Sequence, residues 1–80
     1  MEYSSACPWN RYKIEFRYTS IYSTSIHSTK VVNEIEVEIA TNAQEAVDMV
    51  RRDYADMRNV CIDNVYIDTG FAWDVVDNWN

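Results

Sequence analysis

The side chains best placed to do chemistry are carboxylates. Glu34, Glu36 and Glu38 alternate with Ile35, Val37 and Ile39, and on an extended strand such alternate positions share one face at intervals of about 6.6–6.8 Å. That interval is close to the spacing of phosphates along an extended nucleic-acid strand. The row therefore has the pitch to imitate a nucleic-acid backbone for a protein that grips one. The competing reading is an ordinary solvated face. With a hairpin tip near Ser25–Ile26, Arg17 faces Glu34, Glu15 faces Glu36 and Lys13 faces Glu38. The Arg17–Glu34 and Lys13–Glu38 pairs are then of opposite charge, worth about 0.2–1 kcal/mol each, and acids still outnumber bases on that face.

A second acidic group lies towards the C-terminus. Beyond Asn59 there is no Lys or Arg, while Asp63, Asp68, Asp74 and Asp77 are interleaved with Tyr66, Phe71, Trp73 and Trp79. Large aromatics beside unpaired acids suit recognition of a basic partner, the rings supplying buried contact and the acids steering the approach. Against this, a small core needs its aromatics. Phe71 and Trp73 read first as closing one end of that core and second as interface anchors; Trp79 reads equally as either. The candidate partner-binding set is Glu34, Glu36, Glu38, Asp63, Asp68, Phe71, Trp73, Asp74, Asp77 and Trp79.

Nothing in the chain specifies catalysis. His27 stands near Ser25 and Ser28, but nucleophilic chemistry also needs an orienting acid and an oxyanion hole on a rigid scaffold. His27 reads as a solvent-exposed loop residue, and the chain as a non-enzyme. Cys7 and Cys61 are far apart and form no Cys-x-x-Cys pair. They read as two thiols in a reducing compartment, with a disulfide closing the long loop as the alternative. One histidine and two distant cysteines do not make a tetrahedral metal site. A single glycine leaves no Gly-rich phosphate loop, so no metal or other cofactor is expected.

The elements that must position these groups follow from periodicity. Arg11 to Tyr18 alternates, with Tyr12, Ile14, Phe16 and Tyr18 on one side and Lys13, Glu15 and Arg17 on the other, which predicts a half-buried strand. These aromatics read as core rather than as a base-stacking platform, which would call for a basic surround. A second strand is expected from about Lys30 to Ala40, burying Val31, Ile35, Val37 and Ile39 and presenting the glutamates outward. The Ser/Thr-rich stretch between them, with no Gly or Pro, predicts a long hairpin with its tip near Ser23–His27. Thr41 or Asn42 caps a helix with apolar residues at Ala43, Ala46, Val47, Val50, Tyr54 and Met57, giving about four turns that end near Met57–Asn59. A third strand runs from Val60 to about Ile67, with Asp63-Asn64 as a bulge or bend. After the Thr69-Gly70 turn, residues 71–80 fit either a helix or a short fourth strand returning along the third, and the strand is favoured. The expected fold is α+β: β-β-α-β with a fourth strand, antiparallel order 2-1-3, and one amphipathic helix covering the apolar face.

Eighty residues make one domain, 1–80, with residues 1–10 as a loose N-terminal segment. Apolar residues at 48% and charged ones at 25% suit a compact soluble protein. Thirteen acids against seven bases give a net charge of −6, which disfavours nucleic acid and anionic membrane as direct ligands. The opening residues carry no secretion signal and no apolar run is long enough to span a bilayer, so a cytoplasmic location is expected.

In size, acidity, lack of catalytic residues and β-β-α-β order, the chain resembles the small single-domain inhibitors of phages and mobile elements, anti-CRISPR proteins among them. The resemblance is architectural, without a shared motif. It implies a stoichiometric, non-enzymatic inhibitor acting in the host cytoplasm, whose acidic surface occupies the basic, nucleic-acid-binding surface of a defence complex. The alternative is a homo-oligomeric structural or accessory subunit, a homodimer in its simplest form, that buries Phe71, Trp73 and Trp79 against a second copy.

Overall fold

The structure is a computed structural model that describes residues 9–20 and 30–79. In chain order the elements are β1 (Asn10–Thr19), β2 (Val31–Ala40), α1 (Ala43–Asp53), β3 (Arg58–Asp68) and β4 (Trp73–Val75). The strands form one antiparallel sheet in the order β2-β1-β3-β4, with α1 packed on one face. The α+β class, the order and the short returning fourth strand are those expected. The hairpin tip, His27 and Cys7 lie outside the described residues, as does most of the segment 1–10. Asn10 already belongs to β1 and is not part of a loose terminus.

β1 is central, and its alternation decides where the core sits. Tyr12, Ile14 and Phe16 are buried beneath α1. They meet Ala43, Ala46, Val47 and Val50 of the helix and Val65 of β3, with Ile62, Ile67, Val76 and Trp79 packed around them. The helix begins where Asn42 accepts a hydrogen bond from the Glu45 amide at 2.8 Å, while Glu45 Oε1 accepts from the Thr41 amide at 2.7 Å and from its hydroxyl at 2.9 Å. Of the two possible caps, Asn42 therefore serves. The reciprocal bonds to Thr41 hold the Glu45 carboxyl below its ordinary pKa, the backbone amide contributing most.

The helix is shorter than its periodicity predicts, ending at Asp53 instead of Met57–Asn59. Beyond it Ala55 donates to Arg52 and Met57 to Tyr54 in tighter turns. Tyr54 stacks edge-on against Phe16, with ring centroids 4.8 Å apart, and this packing draws the chain down onto the sheet. Asn59 takes a left-handed φ of 55°, a conformation that Asn tolerates better than most residues, and redirects the chain into β3.

The expected pairing of β1 with β2 is corrected by one residue. Ser20 donates to the carbonyl of Lys30 at 2.9 Å, and the pairing continues as Phe16↔Glu34, Ile14↔Glu36 and Tyr12↔Glu38. Arg17, Glu15 and Lys13 thus do not face Glu34, Glu36 and Glu38. Side chains alternate with period two, so a one-residue displacement moves the whole set to the other face. The glutamates lie half-buried on the face that carries α1. Val31, Ile35, Val37 and Ile39, expected in the core, are instead 57%, 60%, 46% and 57% exposed on the uncovered face. On the other side of β1 the pairing skips Asp63 between Glu15↔Asn64 and Phe16↔Ile62. The bulge foreseen at Asp63-Asn64 is present, and it returns Ile62 to the same face as Val65 and Ile67.

Candidate functional site: an acidic row on an open sheet edge

Among the described residues β2 is an outer strand of the sheet. In an antiparallel ladder, opposed residues alternate between pairs that exchange hydrogen bonds and pairs that do not. The Ser20–Lys30 bond fixes the phase: Val32, Glu34, Glu36, Glu38 and Ala40 direct their backbone groups to β1. Val31, Asn33, Ile35, Val37 and Ile39 direct theirs to the free edge. One strand therefore presents three things together. It has a line of amides and carbonyls that no other described strand pairs, a carboxylate row on the helix-bearing face, and an aliphatic row on the uncovered face.

Tyr54 organises the carboxylates. Its hydroxyl donates to Glu36 Oε2 at 2.8 Å, with Glu34 Oε2 at 3.3 Å. The hydrogen bond to Glu36, then burial and the charges of both glutamates, push the phenol well above its ordinary pKa, so it stays a donor at neutral pH. Burial, followed by repulsion from Asp53 and Glu36, raises the Glu38 carboxyl. Among the described residues the ion pairs are Arg11–Asp68 at 3.4 Å and Arg17–Asp63 at 3.5 Å, and neither involves this row. Asp53 at the end of α1 adds a fourth carboxylate to the field around Glu38.

The C-terminal candidates separate into different environments. Asp63 and Asp68 are not left unpaired by the base-free run around them, because β1 brings Arg17 and Arg11 across to them. Trp73 is half-buried on the uncovered face, with the Arg11 guanidinium 5.7 Å and the Lys13 ammonium 5.2 Å from its ring centroid. Lys13 also lies 4.7 Å from the Tyr66 ring centroid. Trp79 packs against the core with Arg51 over its ring at 6.0 Å. Phe71 does not close the core: it is 98% exposed in the β3–β4 turn. There Thr69 Oγ1 accepts from the Phe71 and Ala72 amides, and Asp68 accepts from that of Gly70. Asp74 and Asp77 are exposed.

Sequence reasoning missed Tyr54 and Asp53 as members of the acidic site. Both lie at the end of the helix, where Tyr54 reads as one more apolar position. Cys61 is a free thiol on β3, its sulfur accepting from Arg17 Nη2 at 3.3 Å. Among the described residues no three His, Cys, Asp or Glu side chains converge as metal ligands, and no helix is long and apolar enough to cross a membrane. No family model, curated protein or solved structure matches the chain.

Proposed function

We propose that this chain is a non-enzymatic, protein-binding inhibitor of the anti-CRISPR kind. It acts in the host cytoplasm and uses its acidic edge to occupy the nucleic-acid-binding groove of a defence nuclease complex. One observation supports this above the others. Glu34, Glu36 and Glu38 stand in a row on a rigid strand, outside both ion pairs of the described residues and with Asp53 beside them. An unquenched row of this kind attracts a cationic groove and raises the rate of encounter. Asp74 and Asp77 extend the acidic character of the chain. Asp63 and Asp68, already paired with arginines, contribute less.

The test is capture of a nucleic-acid-handling complex from host lysate, followed by competition with nucleic acid and titration with salt. Changing Glu34, Glu36 and Glu38 together to Gln weakens binding by about tenfold or more and flattens the salt dependence. Salt-independent capture that survives the triple change eliminates the mechanism.

A rival reading, a homo-oligomeric accessory subunit, is favoured by the exposed aliphatic row of β2 and by Phe71. Trp79, packed against the core, no longer belongs to that interface. A strictly monomeric chain in concentrated light scattering removes this reading.

A further inference from the structure

The acidic row alone does not explain why the same strand exposes four β-branched aliphatic side chains on its other side. Native sheets protect long edges with charge, proline or cover. The edge of β2 spans 10 residues with no proline, and Val31, Ile35, Val37 and Ile39 flank it. We propose that this edge is a strand-addition site. It takes an extended segment of a basic partner in which Lys or Arg alternates with Val, Ile or Leu. The incoming backbone pairs with the open groups of Val31, Asn33, Ile35, Val37 and Ile39. Its cationic side chains come to lie beside Glu34, Glu36 and Glu38, and its aliphatic side chains beside Ile35, Val37 and Ile39. Backbone bonds supply affinity in this mode, and alternate side chains supply selectivity.

Charge selects this occupant over a second copy of the chain. Antiparallel pairing of β2 with another β2 about Ile35 sets Glu34 opposite the second copy's Glu36, and Glu36 opposite its Glu34. Like charges directly opposed across a ladder are destabilising. A basic segment reverses that sign at every step. The inference rests on the functional reading above for the partner's charge, but the mode of attachment is separately testable.

The probe is a synthetic peptide of β2's own length, 10 residues, alternating Lys and Val with blocked ends. A Glu-for-Lys peptide and a block-ordered Lys and Val peptide are the controls. Backbone amide exchange is read residue by residue. Only the alternating Lys peptide is expected to bind, slowing exchange at Val31, Asn33, Ile35, Val37 and Ile39. Binding weakens by about tenfold or more in E34Q/E36Q/E38Q. V37K places a cation on the aliphatic side of the free edge without touching the core, and is also expected to weaken binding.

Protection at α1 or on the uncovered face, with those five amides unchanged, overturns the proposal. So does equal binding of the Glu-for-Lys or block-ordered peptide. Concentration-dependent protection of the same amides in the free protein assigns the edge to a second copy and overturns it as well. If salt-sensitive capture of the host complex persists while the edge amides stay unprotected, only strand addition fails. Loss of that capture's charge dependence is the failure of the functional reading.

Discussion

Tyr54 connects the core to the acidic edge: its ring touches Phe16 and its hydroxyl holds Glu36. Replacing it with Phe keeps the ring and removes the donor, at a cost of about 0.5–1.5 kcal/mol in denaturant unfolding. The pH dependence follows from the raised phenol. The native state holds its proton to higher pH than the unfolded chain, so stability from this group is complete below about pH 10 and is lost as pH rises towards the native value. Y54F therefore shows a shallower alkaline loss of stability than the parent. Glu38 is an acid with the opposite consequence. Its native carboxyl is raised by burial, Asp53 and Glu36, so ionisation is less favourable in the folded chain and stability falls as pH rises through that range. Glu38→Gln raises Tm at neutral pH, and the gain disappears under acid conditions where Glu38 is protonated. Neither residue's role was legible in the sequence. The Glu34/Glu36/Glu38 spacing was plain, but the partner that organises it is separated from it by a helix.

At the scale of elements, local patterns identify the strands and helix and long-range pairing decides their faces. Asn42 and Glu45 marked the helix start because capping is a short-range pattern. Asn42→Ala is expected to cost about 0.5–2 kcal/mol and to increase amide exchange first in the opening turn of α1. The Glu45 part of the cap has its own pH signature: its lowered pKa gives stability above the ordinary carboxylate range that is lost as pH falls through the native value. The end of α1 was misplaced because Met57 continues the helical spacing, while Tyr54 satisfies its contacts by leaving the helix. The face of β2 was misplaced for another reason. From Glu34 to Ile39 acid and aliphatic alternate at every step, and the linker to β1 contains no Gly to fix the turn. Only the Ser20–Lys30 pairing reveals which row joins the core.

At the scale of the molecule, the core formed by the described residues is narrow: three β1 side chains, four helix residues, Ala40 and Val65. Phe16 is among the largest fully buried side chains, and Phe16→Ala should cost about 3–5 kcal/mol. A chain of this length has a total stability on the order of 4–12 kcal/mol, so the variant is expected to lose at least about a quarter of it and to melt well below the parent by circular dichroism. Substitution of exposed Val37 by Lys leaves the melting curve within about 0.5 kcal/mol of the parent.

The uncovered face has a consequence for how the molecule travels. Arg11, Lys13 and Arg17 there are matched by Glu15, Asp63 and Asp68, whereas among the described residues Glu34, Glu36, Glu38 and Asp53 gather towards the helix-bearing side. Such an uneven distribution gives the protein an electric moment across the thickness of its sheet. For the cationic groove proposed above, that moment would favour approaches with the carboxylates forward.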